Sequence, residues 1–365
     1  MSWLLCVLLL CPWMNAPTPE EDLTGEIAAI AEVYTIEQTL SPEEQEAAGE
    51  MRLDGSYDIA GALRRLWTGF LDRLFGSVRE KLGAVTRLVA IAALCALCSA
   101  ISPEKRVTEL TELAGCCTAA LALTGGTESA LGGAIAALDE LSAFSKVALP
   151  VFFTTAAAGG AVASSSARYA AVCLAADVYM TAANALILPA IRAFLALSIS
   201  ASLFDGPLLR AAARAAKWCA VTAMTLLTMG FGAYLSISGA IAGSADALAV
   251  KTTRTLISTA LPVVGGILSD LSGSLLGAAT LVRQSTGAFT LAGILAVCIA
   301  PVALLLGQLL CYKAAAAAAE LLCGGNMAKL LTDTGTGLGL LLGLVGSYAA
   351  ILFLAVASGL RAVVL

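Results

Sequence analysis

Long stretches without a single charged side chain constrain this sequence more than any other feature. Val147–Ala167, Trp218–Ala245, Gln284–Tyr312 and Thr334–Leu360 each run for at least 21 residues uncharged. An α-helix rises about 1.5 Å per residue, so about 20 apolar residues cross a hydrocarbon core of about 30 Å. Four weaker runs have the same character: Leu88–Pro103, Leu113–Leu138 interrupted by Glu128, Tyr169–Ile191 interrupted by Asp177, and Thr255–Val282 interrupted by Asp270. In lipid, every backbone N–H and C=O has to be satisfied within the protein, which only helices and closed barrels achieve. These runs lack the alternation of a barrel strand. The expected fold is all-α: a polytopic helical membrane protein with about seven or eight transmembrane helices.

Composition agrees. Only 13% of the 365 residues are charged and 59% are hydrophobic, with a mean hydropathy of +0.89. A soluble domain carries about 25% charged residues, so this chain is too poor in charge to cover two soluble domains and needs lipid. There is no histidine. That excludes Ser-His-Asp and Cys-His catalysis, HExxH zinc sites and histidine proton relays. A net charge of −5 argues against nucleic acid, which selects a basic patch. Most of the eleven cysteines, such as Cys116, Cys173, Cys219, Cys298 and Cys311, sit within apolar runs and read as small core hydrophobes. Cys95 and Cys98 have redox-motif spacing but lie within Ala-Leu-Cys-Ala-Leu-Cys-Ser, which reads as helix packing.

The charge is distributed unevenly. Residues 17–60 carry twelve acidic side chains against Arg52 alone, whereas residues 61–365 carry twenty basic and fourteen acidic ones. Residues 1–16 form a short apolar run of signal-peptide length, although no lysine or arginine precedes it. A first membrane anchor is the alternative. Residues 17–60 read as a solvated, extracytoplasmic acidic segment, with a short amphipathic helix through Leu23, Ile27, Ile30, Val33 and Ile36. From 61 to 87, Leu63, Leu66, Trp67, Phe70, Leu71 and Leu74 share one face, while Arg64, Arg65, Asp72, Arg73 and Arg79 take the other. This pattern predicts an amphipathic helix lying in the membrane interface or packed on another helix. Residues 88–365 are the transmembrane domain.

Topology signals conflict at the amino-terminal end. A signal peptide directs residues 17–60 outward, but six basic residues between 61 and 87 favour the cytoplasm. Arg210, Arg214 and Lys217 mark a cytoplasmic loop. Gly239 with Gly243, and Gly339 with Gly343, have the four-residue spacing that lets helix backbones approach closely. They fit packing within the bundle or an oligomer interface.

The most distinctive stretch runs from 229 to 287. Asp246, Lys251, Arg254 and Asp270 interrupt two hydrophobic runs, and Pro262 with Gly265 and Gly266 is expected to break a helix between them. Broken helices near the bilayer midplane make transporter sites, and ionisable residues there are usually paired or functional. A polar loop from Ser244 to Arg254 before a kinked span is the plainer reading. Asp177 is the second candidate for a buried charge. An Ala-Leu-Pro-Val tetrad at 148–151 recurs at 260–263 and hints at an internal repeat of broken helices. The chain has no P-loop and no dinucleotide fingerprint, so any ATP-driven step belongs to a partner. No catalytic constellation, metal site or cofactor motif stands out.

Residues 229–287 resemble the stage III sporulation protein AE family. The residues that carry the resemblance are Leu235-Ser236-Ile237 and Gly239, then Asp246 and Lys251-Thr252. They continue with Pro262-Val263-Val264-Gly265-Gly266 and Leu268-Ser269-Asp270. Weaker similarity takes in Pro150, Pro301, Tyr312-Lys313, Asn326 to Gly335 and Val356-Ala357-Ser358, covering most of 60–365.

The resemblance implies a non-enzymatic, integral membrane subunit of the sporulation channel, or feeding tube, in the mother-cell membrane around the forespore of an endospore-forming bacterium. It implies sister membrane proteins, a partner ATPase and a forespore membrane protein as partners, with residues 17–60 facing the intermembrane space. On this reading Asp246, Lys251, Thr252, Pro262, Gly265, Gly266 and Asp270 are candidates for a pore or an assembly surface. The alternatives are a stand-alone secondary transporter or permease with its site around 246–270, and a scaffold recruiting sister subunits or further copies of itself through its glycine faces.

Overall fold

The computed structural model describes residues 38–48, 58–101, 105–158, 162–204, 206–260, 265–323 and 325–361; across 236–260 and 265–282 the description is of the backbone. The described chain is helical almost throughout and contains no strand. The helices are α1 (Pro42–Ala48), α2 (Ile59–Ile101), α3 (Lys105–Ala158), α4 (Val162–Ala182), α5 (Leu188–Phe204), α6 (Pro207–Ala260), α7 (Gly265–Leu322) and α8 (Gly325–Arg361). A π-helical turn, Ala183–Ile187, joins α4 to α5.

Five helical segments are long and apolar enough to cross a membrane: Ala60–Ile101, Ser165–Phe204, Pro207–Leu235, Arg283–Leu322 and Gly325–Leu360. The all-α membrane fold expected from the charge-free runs is therefore present, but the count among the described residues is five, and seven or eight is not reached. Counting uncharged runs does not count helices. Residues of the Val147–Ala167 run are divided between the end of α3 and the start of α4. Leu113–Leu138 is the middle of the 54-residue α3, which is not among the five. Gly, Thr and Ser dilute its apolar residues.

The core gathers around α8, which packs against α3, α4, α5, α6 and α7. Leu338, Leu341, Leu344, Val345, Leu352 and Ala355 of α8 are fully buried. α7 lies beside it and carries α2 and α1 on its other side. Buried threonine hydroxyls such as those of Thr290 and Thr334 are tolerated because they return their proton to the preceding turn. Thr290 Oγ1 donates to the Thr286 carbonyl at 2.8 Å, and Thr334 Oγ1 to that of Leu330 at 2.8 Å.

α2 runs without a break through both the amphipathic stretch and the Leu88–Pro103 run as far as Ile101. One side packs on α7, where Ser77 Oγ donates to the Leu304 carbonyl at 3.3 Å and stands against Gly307. Leu63, Trp67, Phe75 and Leu82 face outward. The acidic segment is not uniformly solvated. α1 docks on α7 and α2, with Leu40 and Glu44 buried. The Glu44 carboxylate accepts the Ser41 backbone N–H at 2.7 Å, the returning half of a capping box. Arg73 and Glu43 pair at 2.6 Å. The apolar run 1–16 and the helix expected over 23–36 lie outside the described residues.

Candidate functional site

The distinctive motif is distributed over two helices. Gly239, Gly243, Asp246, Lys251 and Thr252 fall within α6, and Gly265, Gly266 and Asp270 open α7. Pro262 lies outside the described residues, between the end of α6 at Ala260 and the start of α7 at Gly265. The stretch 244–254 is helix, not the polar loop that its charges resemble. Pro150, by contrast, sits inside the continuous α3, so the first Ala-Leu-Pro-Val tetrad does not break its helix and the repeat of broken helices is not formed.

α7 carries the chain from Asp270 to Arg283, where side chains converge. Arg283 is 1% exposed, the largest fully buried side chain described, and Arg168 of α4 is 4% exposed. The Arg283 guanidinium donates to the carbonyl of Gly359 and the Arg168 guanidinium to that of Ser358. Both acceptors lie in the last turn of α8, whose final carbonyls have no partner along the helix and carry its negative dipole end. Two cations from separate helices thus close the carboxyl end of the central helix.

This junction leaves no room for larger residues. A methyl group at Gly359 would stand 2.5 Å from Phe152 Cε1, and one at Gly287 would stand 2.9 Å from Phe152 Cε2 and 2.5 Å from Leu360 Cδ2. Phe152, Phe153 and Tyr169 form an aromatic row with centroid separations of 5.1 and 5.9 Å. Phe152 therefore lies between two glycine-faced helices, directly beside the arginines.

Further along α8, Tyr179 of α4 stacks on Tyr348 with centroids 5.2 Å apart. Its hydroxyl donates to the Leu344 carbonyl at 2.9 Å and also bonds Ser347 Oγ. At the opposite end of α8, Gly325 takes φ +69°, and the Glu112 carboxylate accepts the Asn326 backbone N–H at 2.7 Å. A carboxylate there complements the positive end of the helix dipole. Gln308 Nε2 of α7 bonds the Gly126 carbonyl at 2.9 Å and Tyr312 Oη at 3.1 Å, tying α7 to α3.

The glycines of α8 separate into two roles. Gly339 faces Leu309 of α7 at ordinary contact distance, whereas Gly343 points outward with nothing near it. The crowded position is Gly337, where a methyl group would meet Leu195 Cδ2 at 2.3 Å. Cys116, Cys298 and Cys311 are buried free thiols, while Cys95 and Cys98 are unpaired. Among the described residues no group of three or more Cys, Asp or Glu could hold a metal ion.

A family model, stage III sporulation protein AE, matches residues 53–361, which take in every helix from α2 to α8. The chain belongs to the stage III sporulation protein AE family. The match spans the distinctive motif and both buried arginines, and it begins after α1. No curated protein and no solved structure matches the chain significantly. Within the family span, the arginine junction escaped the reading of the sequence. Arg168 and Arg283 border apolar runs, and at such positions a charge reads as the end of a span facing water. Only the approach of α8 reveals that both are inside.

Proposed function

We propose that this chain is an integral, multi-pass subunit of the sporulation channel complex in the mother-cell membrane surrounding the forespore, required for spore development at the engulfed stage. Membership of the stage III sporulation protein AE family over residues 53–361 carries this reading, and the five membrane-length helices support it. The role is non-enzymatic. Its partners are other stage III sporulation membrane proteins, a partner ATPase, a forespore membrane protein and further copies of itself.

The motif from Asp246 to Asp270 is proposed as the surface for conduction or assembly. Deleting the gene in its source organism and counting heat-resistant spores tests the reading. The expected result is loss of spores with normal vegetative growth, restored by complementation. Normal spore counts in a strain without a second copy overturn it. Substituting Asp246 and Lys251 then separates the roles: conduction predicts spore loss with the complex assembled, and scaffolding predicts loss of assembly or tolerance.

A further inference from the structure

α3 runs antiparallel to α7 along the uncharged stretch of that helix. Gln308 bonds the Gly126 carbonyl, Gly293 stands against Phe144, and Gly287 against Phe152. These three contacts hold α3 from 126 to 152 beside α7 from 308 to 287, inside the uncharged run Gln284–Tyr312 and the membrane-length segment Arg283–Leu322. At about 1.5 Å per residue this part of α3 is about 39 Å long, enough to cross a hydrocarbon core of about 30 Å. Asp139 and Glu140 lie between the first two contacts, opposite the middle of the α7 run.

The outward side of α3 over this depth is unlike a lipid-facing surface. Its exposed residues recur at steps of three and four, which makes one continuous stripe. Every exposed position from 122 to 157 is Ala, Gly, Ser, Thr, Asp, Glu or Lys. No large hydrophobic side chain is exposed on that stretch. Glu128, Asp139, Glu140 and Lys146 are its charged members. α6 is different at the same depth: its Gly232 faces Leu354 of α8, and it turns Leu226 and Met229 outward, as lipid requires. The polar stripe is also why α3 is not among the five most apolar helical segments.

Hydrocarbon does not satisfy such a stripe, because carboxylates within a membrane turn to protein or water. Small residues by themselves would suit close approach of another helix. Here they alternate with three carboxylates against one cation, Lys146, so an approaching helix would bury a net negative charge. Asp139 and Glu140 form no ion pair among the described residues that would offset that cost. The stripe also has no aromatic or aliphatic anchor of the kind that holds a protein interface. Water meets all of these requirements. We infer that α3 crosses the bilayer with this stripe against water, as one wall of an aqueous path for polar solutes. The inference rests on the proposed conduction role and gives it a surface outside the Asp246–Asp270 motif.

Thiol labelling of the full chain in its native membrane tests the wall. Ala136→Cys places a thiol on the exposed stripe near mid-depth, and Met229→Cys places one on the outward face of α6 at the same depth. The probe is a membrane-impermeant methanethiosulfonate bearing a trimethylammonium group. Modification is read peptide by peptide in a mass spectrometer, so the natural cysteines do not interfere. The reagent attacks thiolate, which forms in water and is suppressed in hydrocarbon. Each unit by which a thiol pKa rises removes about nine-tenths of the thiolate, so position 136 is expected to react at least about tenfold faster than position 229. Slow reaction at both positions overturns the inference, because lipid or another protein then covers α3. Fast reaction at both also overturns it, because that depth then lies outside the bilayer. If Ala136→Cys does not accumulate, Gly133→Cys takes its place, since nothing stands near Gly133. Labelling reads water at a residue and not spore formation, so failure here leaves the sporulation role standing, and the converse also holds.

Discussion

A guanidinium removed from water beside phenylalanine and leucine is destabilising unless its charge meets strong acceptors. Arg283 and Arg168 meet the carbonyl end of α8, where unpaired acceptors and the helix dipole favour a cation. Hydrogen bonds to charged groups contribute about 1.5–3 kcal/mol each. Arg283→Met keeps most of the volume but leaves the Gly359 carbonyl without that donor. It is expected to destabilise the detergent-solubilised protein by about 2–3 kcal/mol, read as a lower Tm. Phe152 reports on the same junction. In the sequence both arginines border apolar runs, where a charge usually faces water. The missing information was the position of the last turn of α8, which lies 76 residues beyond Arg283 in the chain.

At the scale of elements, the π turn between α4 and α5 has an identifiable cause. A proline ring clashes with the carbonyl four residues earlier and removes a donor, and widening the turn relieves the clash. Pro189→Ala restores the donor and is expected to let the segment become a regular α-helix. Closing the turn rotates one half against the other by about 100°, the angle of one residue. Tyr179 against Leu344 and Ile191 against the core cannot then both be kept. The expected outcome is a lower Tm despite better local helix propensity. Proline in a run of alanine and leucine was visible in the sequence, but whether it bends, breaks or widens a helix depends on neighbours. Pro150 and Pro301 lie inside continuous helices. Among the described residues the expected span count is not confirmed, for a similar reason. Charge-free runs mark what tolerates lipid, whereas helix ends are set by where the chain turns.

Across the whole molecule, α8 is the post on which the other helices assemble, and its two ends are fixed by residues far away in sequence. Glu112 holds its amino end, and Arg168 with Arg283 hold its carboxyl end. Ending the chain after Tyr348 removes both arginine acceptors and is expected to prevent accumulation in the membrane. Ending it after Arg361 keeps them and is expected to leave the level near that of the intact protein. Immunoblotting of membrane fractions distinguishes the two outcomes.

The sequence by itself determined the class of this protein. Transfer into lipid and helix formation are summed residue by residue, so uncharged runs of about 20 residues dictate an all-α membrane protein wherever they fall. The same local text carried the family motif from Leu235 to Asp270. Tertiary structure alone decided which face of each helix is inside. Five helices meet α8, and only their joint packing puts Arg168 and Arg283 on its end, Gly337 against Leu195, and Asp177 on the outside. An aspartate reads the same in a chain whether it faces a neighbour or the bilayer. The difference is the desolvation of its carboxylate, which depends on atoms distant in sequence.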